Sequence, residues 1–280
     1  MSDLLRVCMV STSARRGGAG RMAATLTHAL NAPGIGVRAT LFHGDDSVST
    51  GDLIGLRRPG ARPINALLAR LAGDSLSLDF GVARELVARS REFDIVHLHN
   101  LHGYYLNYRR LLEGLGGRPV VWTWHDMWPV TGRCGFSFEC TRWQTGCAPC
   151  PYPAYYPTAW IDWASRDYRE RTKRLLGAGN IHIVTPSQWL AGHAVLRGYS
   201  SSRVTVIPNP VDLEEFRPVQ QQEARAALNL PSTGSILLFV AADCDDLRKG
   251  FDDYLAVVER LGVRGVAVGR SSRASNKLVD

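Results

Sequence analysis

The chain has 280 residues, enough for one large domain or two of ordinary size. Its 45% hydrophobic and 21% charged residues make an ordinary globular mix able to bury a core, and no run of about 18 apolar residues is present to span a membrane. The formal net charge of +7, with a pI near 9.3, favours anionic partners: nucleic acid, phosphate-bearing small molecules or an acidic membrane face.

In chain order, strand and helix signals alternate. LLRVCMVS (4–11) reads as a strand; its apolar run is short and broken by Arg6, which argues against a secretory signal. It runs into Arg15-Arg16-Gly17-Gly18-Ala19-Gly20 and then a helical pattern in which Met22, Leu26 and Leu30 share one face. Glycines let the backbone turn tightly and approach a ligand, and the following helix start offers N–H groups to an anion. The spacing is not GxGxxG, so the stretch reads equally as an ordinary strand-to-helix turn.

VRATLFH (37–43) is a second strand, followed by a Gly-, Arg- and Pro-rich stretch (44–75) holding one amphipathic piece, INALLARL. LDFGVARELVARS reads as a helix, DIVHLHN (94–100) as a strand, YYLNYRRLLEGL as a helix and PVVWTWHD (119–126) as a strand. His97 and His99, two apart, point to one face, and His102 follows. Three histidines could bind a metal, but no acidic or cysteine ligand is adjacent, which favours polar residues lining the sheet's carboxyl edge. Ligands gather at that edge in open α/β sheets, so His99, Asn100, His125 and Asp126 are candidate site residues. A histidine there can hydrogen-bond a sugar hydroxyl or share a proton at cellular pH, and it can equally be structural.

A long loop (127–157) follows, gathering Cys134, Cys140, Cys147 and Cys150 with gaps of five, six and two residues. In a reducing compartment such clustering argues for metal over disulfides. Four thiolates can complete a tetrahedron around a structural zinc that folds a loop with little core of its own. An iron–sulfur cluster, two disulfides and unlinked thiols are the alternatives.

Next come a helix over 160–179, the strand IHIVTPS, the helix QWLAGHAVLRG and the strand RVTVIPNP. The charges of the 160–179 helix, beside Trp160 and Trp163, fit either an anionic membrane face or a solvated surface laced with i,i+4 pairs. Each short apolar strand is followed by a helix, the signature of a mainly parallel sheet covered on both faces. The three prolines of IPNPVDLEEFRPV mark a linker. The pattern then restarts: EARAALNL as helix, SILLFVAA as strand, KGFDDYLAVVERLG as helix, VRGVAVG as strand, and a pattern-free tail over 270–280. At the helix start, Arg248 and Lys249 converge with Gly250 on a point suited to a diphosphate, although Asp243, Asp245 and Asp246 blunt that field.

This order of motifs resembles glycosyltransferase family 4, of the GT-B fold, and within it the colanic-acid and exopolysaccharide type. The Gly-rich first turn, DIVHLHN, PVVWTWHD with its cysteine loop, TPSQWLA, IPNPVD and LRKGF carry the likeness over residues 4 to about 269. The resemblance implies two Rossmann-like domains: an acceptor-side domain over 1–207, a linker over 208–219, and the start of a nucleotide-sugar domain over 220–280, which the sequence holds only in part. It implies retaining transfer of a sugar from a nucleotide-diphosphate sugar to a saccharide or lipid-linked acceptor. In that scheme His125 contacts the transferred sugar, Lys249 neutralises the leaving diphosphate with Arg248 beside it, and Gly17 and Gly18 lie on the acceptor side. No catalytic metal is needed. The family's upstream arginine is replaced by Ala242 and Asp243, and its glutamate pair falls beyond the sequence, so a catalytically silent remnant is the rival reading. A cytoplasmic protein is expected, peripheral on the inner face of the membrane. Nucleic-acid binding ranks low, because basic and aromatic residues are not interleaved on strands.

Overall fold

The computed structural model describes residues 4–47 and 49–273. Of the pattern-free tail, 274–280 lie outside the described residues. The chain separates into two compact units, residues 1–210 and 211–280.

The first unit is built on seven parallel strands: β1 (Leu5–Ser11), β2 (Val37–His43), β3 (Leu53–Gly55), β4 (Ile95–Leu98), β5 (Val120–Thr123), β6 (Ile181–Thr185) and β7 (Val204–Val206). Their order is β3-β2-β1-β4-β5-β6-β7, all parallel. The helices are α1 (Gly17–Leu30), α2 (Ala61–Ala72), α3 (Val82–Ser90), α4 (Tyr108–Leu115), α5 (Ala164–Gly177) and α6 (Gln188–Leu196). The order places the topological switch between β1 and β4, where an open sheet parts to leave a crevice outside the strand ends.

β1 explains why its apolar run is unbroken after Arg6. Val7 and Met9 pack on one face with Ala23 of α1 and Leu41 of β2, and Cys8 and Val10 pack on the other with Val82 and Leu86 of α3 and Leu111 of α4. Both faces are covered from Val7 onward, so after Arg6 no position along the strand is polar until Ser11. On α1 the residues pressed to the sheet are Gly20, Ala23 and Thr27, with Leu26 and Leu30 flanking; the four-residue spacing of larger side chains marks the edge of the buried stripe. A Cβ on Gly20 would sit 2.9 Å from the Ser13 side chain, so the helix start comes closer to the β1 turn than any other residue allows. Asn107 and Ser187 cap α4 and α6, accepting from the N–H groups of Arg110 and Leu190; each such cap contributes about 1 kcal/mol.

Two readings are corrected. β3 lies in the stretch read as Gly-, Arg- and Pro-rich connection. The helix expected over 160–179 begins at Ala164, and two of its charged residues, Asp167 and Arg171, are buried at 2% and 1% exposure rather than solvated.

The second unit contains α7 (Gln221–Ala227), β8 (Ile236–Asp243), α8 (Phe251–Leu261) and β9 (Arg264–Arg270). β8 and β9 pair in parallel, and α8 covers them with Phe251 and Tyr254 against Phe239 and Ala267. Leu238, Val240 and Val268, on the opposite side, are exposed.

Candidate functional site

The carboxyl edge of β4 and β5 carries a connected group of imidazoles. His97 Nε2 lies 2.8 Å from Thr123 Oγ1. His97 and His99 stack with centroids 4.5 Å apart, as two residues one strand-period apart must. His99 Nδ1 is 2.9 Å from His125 Nε2, a contact made because β4 and β5 are neighbours. The Trp122 indole N–H donates to the His99 carbonyl at 2.8 Å, fixing the strand end. Asn100 follows, its carbonyl accepting from both the N–H and the hydroxyl of Thr12 at the end of β1, at 3.0 and 2.9 Å.

Asp126 does not hold His125. Its Oδ2 pairs with His102 Nε2 at 2.8 Å and its Oδ1 accepts the Trp128 N–H at 2.9 Å. The site therefore has two arms: a neutral chain through His97, His99 and His125, and an ion pair of His102 with Asp126. Burial sets the first arm. It pushes His97 and His125 down to about 4, against the pull of Asp126 on His125, and holds His99 well below the ordinary range. In the second arm burial also opposes the charge, but the Asp126 carboxylate and its hydrogen bond outweigh it and raise His102; Asp126 in turn is lowered, against burial, by His102. Neutral imidazoles offer one donor and one acceptor each, whereas the pair offers fixed charge.

The β1–α1 turn borders this group. Thr12 also donates to the His102 carbonyl, and Gly103, at φ +107, passes so close that a Cβ would lie 2.6 Å from Thr12 Cγ2. The Asp45 carboxylate braces the turn, accepting from Ser13 Oγ at 2.6 Å and from the N–H groups of Ala14 and Arg15. Gly17 (φ +70) and Gly18 then open α1; a Cβ on either would meet nothing within 4 Å, and no side chain caps the helix start. The turn thus presents exposed backbone flanked by Arg15 and Arg16.

Beneath the site, Arg171 of α5 reaches into the 127–163 loop. Its Nη1 donates to the carbonyls of Trp128 and Thr131 at 2.7 and 2.6 Å, and its guanidinium lies 3.7 Å over the Trp128 ring. Asp74, 3.7 Å away, is raised by burial against the pull of Arg171. Thr12, Asp45, Gly103 and Asp74 were not singled out from sequence, and Arg171 counts there only as one charge of a surface helix. Asp45 had a signal, an acid just past a strand's carboxyl end; the others are set by tertiary neighbours alone.

All six cysteines are free. Cys147 Sγ accepts the Gly132 N–H at 3.1 Å, and Cys150 Sγ lies 3.7 Å from Arg133 Nη1. Burial raises the Cys134 thiol and pushes Cys147 to about 12, and each feels the charge of two of the loop's other thiols. Among the described residues, no three His, Cys, Asp or Glu side chains stand as a ready-made metal site.

In the second unit, Arg248 and Lys249 form a short 3₁₀ turn before Gly250, which is left-handed at φ +75 and starts α8. The Arg248 guanidinium forks onto Asp246, with Nε at 2.9 and 3.0 Å from its two oxygens. That bond, against burial, holds Asp246 below the usual carboxylate range, with Lys249 adding to it.

Residues 16–215 match Glycosyltransferase Family 4. The chain is 32% identical over 177 residues to the Escherichia coli (strain K12) protein named as the colanic acid biosynthesis glycosyl transferase WcaC; the match covers 58% of this chain and 43% of that relative. The chain therefore spans less than half the length of the curated relative it matches. Among solved structures, the catalytic domain of starch synthase IV from Arabidopsis thaliana, bound to ADP and acarbose, superposes with a TM-score of 0.57 at 14% identity, covering 97% of this chain and 69% of that one. HepE from Anabaena, in complex with UDP and glucose, gives 0.54 at 12%, covering 95% and 62%. UDP-N-acetylglucosamine 2-epimerase from Rickettsia bellii gives 0.51 at 9%, covering 99% and 68%. Likenesses at these identities speak for the fold alone.

Proposed function

The chain belongs to glycosyltransferase family 4, and on that premise we propose that it serves transfer of a sugar from a nucleotide-diphosphate donor to a saccharide or lipid-linked acceptor, with retention at the anomeric carbon, in exopolysaccharide or cell-envelope polysaccharide synthesis. The observation that carries this reading is the group of His99, His102, His125 and Asp126 beside the β1–β4 switch point. In the reaction the bond from the anomeric carbon to the diphosphate breaks, a bond to an acceptor hydroxyl oxygen forms on the same face, and the hydroxyl proton passes to the departing diphosphate. Negative charge grows on the departing diphosphate, and Lys249 with Arg248 answers it. His125, kept neutral by burial, hydrogen-bonds the donor sugar without adding charge at its own strand end. His99 fixes its position, Asn100 ties the end of β4 to Thr12, Asp126 holds its charge on His102, and the open backbone of Gly17 and Gly18 admits the acceptor.

The test is release of nucleoside diphosphate from UDP-, ADP- and GDP-sugars by the purified 280-residue chain, with and without saccharide acceptors. Release is expected, and His125→Ala should lower it roughly a hundredfold without changing the circular dichroism spectrum. Absence of both turnover and binding with every donor would sink the activity reading for this chain and leave a silent remnant in its place.

For the loop we propose that Cys134, Cys140, Cys147 and Cys150 take up one zinc ion in a structural, non-catalytic role. The support is their spacing and the mutual field of their thiols. Binding must displace thiol protons, so it should strengthen as pH rises. Elemental analysis of protein purified without chelator should find about one zinc per chain; four reactive thiols with neither zinc nor iron would end the idea.

A further inference from the structure

Segments 92 residues apart in sequence build one apolar face on the first unit. On α2, Ile64, Leu67 and Leu71 point outward from a single side, 43%, 44% and 40% exposed. The stretch before α5 folds back onto the end of that helix. The N–H groups of Trp160 and Ile161 donate to the Arg70 carbonyl at 2.8 and 3.2 Å, and the Trp163 indole N–H donates to the Leu71 carbonyl at 2.8 Å. These bonds hold Trp160, Ile161 and Trp163 beside Leu71 with 62%, 48% and 37% of their surface in solvent. Six large apolar side chains on one face exceed the scatter of single exposed residues that any surface carries.

Cations are woven into the face. The Arg70 guanidinium lies over the Trp160 ring at 5.9 Å, and Arg166 lies over Trp163 at 4.5 Å while bonding the Ala72 carbonyl. The charge of the chain is also uneven. Residues 1–210 hold 24 Lys and Arg against 15 Asp and Glu, a net +9, and residues 211–280 hold 9 against 11, a net −2. Indoles with an apolar body and a polar N–H, paired with guanidinium groups, suit the boundary between hydrocarbon and anionic headgroups. A second copy fits worse: a two-fold contact would bring two copies of the same cation-bearing face together with no added anionic partner for Arg70. A sugar stacking on the indoles fits worse too, since a guanidinium already covers one face of each ring.

We propose that this face docks the first unit on an anionic lipid bilayer, with Trp160, Ile161 and the outer side of α2 entering the headgroup boundary and Arg70 meeting lipid phosphates, while Arg166, paired with Asp167, holds the Trp163 ring in place. Docking of this kind is independent of turnover, so it can stand or fall apart from the transfer reading.

Flotation with phosphatidylcholine vesicles, with and without phosphatidylglycerol, tests it. The chain should float with phosphatidylglycerol vesicles at low salt and sink at high salt. Trp160→Ser, Leu67→Ser and Arg70→Glu should each weaken binding roughly tenfold or more. All three side chains are exposed, so unchanged denaturation midpoints should accompany the loss. Trp189→Ser, an indole 53% exposed on α6, should bind like the unaltered chain. The proposal is overturned if the chain ignores phosphatidylglycerol vesicles, if Trp189→Ser weakens binding as much as Trp160→Ser, or if the face instead supports a dimer, seen by ultracentrifugation and lost in Trp160→Ser and Leu67→Ser.

Discussion

In the seven-stranded sheet, Val7 and Met9 of β1 lie under α1 while Cys8 and Val10 lie under α3 and α4. In the two-stranded sheet, Leu237 and Phe239 of β8 pack with α8, while Leu238 and Val240 stand 60% and 66% exposed. Both strands carry a short continuous apolar run, VCMV in LRVCMVS and ILLFVAA in ILLFVAAD. The same pattern therefore corresponds to burial on two faces in one unit and on one in the other. The run specifies that a parallel strand can be covered twice; whether it is covered depends on which helices the rest of the chain supplies.

Acidification should separate the two units most widely. All eight histidines lie between positions 28 and 193, and so in the first unit. His97, His99 and His125, with His43 and His193, titrate lower in the fold than in the unfolded chain, so the unfolded state binds more protons as pH falls below about 6.5. His97 and His125 should each cost on the order of 2 kcal/mol by pH 5. His102 works the other way: its raised pKa contributes stability that is complete below 6.5 and lost as pH rises through the folded value. The balance is a net loss on acidification. Tryptophan fluorescence follows the first unit alone, because all seven tryptophans fall between 122 and 189. Its urea midpoint should drop from pH 7 to 5, while the amide protection factors in β8, taken against the intrinsic exchange rate at each pH, stay level. A flat fluorescence midpoint would mean that the imidazoles are not desolvated.

Arg171→Met is next in size. It strands the Asp74 carboxyl and two carbonyls, and should cost about 3–5 kcal/mol in the fluorescence transition. Met9→Ala, at a doubly covered position, should cost about 2–5 kcal/mol. Gly103→Ala forces a Cβ onto Thr12 at positive φ and should cost about 1–3 kcal/mol, with loss at the site exceeding loss of stability. Leu238→Ser should be smallest, under about 0.5 kcal/mol by amide exchange in β8. A cost near that of Met9→Ala would show that the outer face of β8 is covered after all.

Much of this architecture was legible because period and punctuation are local. The alternation of apolar strands with helices placed β1, β2, β4, β5 and β6 to within a few residues. His99 and His125 could be assigned to one edge, since each ends a strand. That they touch required the strand order, which pairs Val96 with Val120 and Leu98 with Trp122. The partner of Asp126 was not legible, because His102 reaches it from a loop. The run from Trp160 to Trp163 has helical composition, yet its N–H groups find the Arg70 carbonyl and Asp162 accepts from Cys150 and Ala164. Tertiary partners outcompete the helix there. The inward turn of Asp167 and Arg171 had no local sign either, since a charged helix face looks the same whether it meets water or a loop's carbonyls.

The contact between His99 and His125 fixes a direction of donation at the site's mouth. His99 Nε2 is fully buried and, among the described residues, meets no acceptor or donor. An orphaned buried N–H is rarer than a bare lone pair, so the ring hydrogen of His99 belongs on Nδ1, donating to His125 Nε2. A neutral His125 then keeps its own hydrogen on Nδ1. Through one tautomer chosen at the centre of the sheet, the outermost imidazole is set to give a hydrogen bond to an oxygen atom and not to take one.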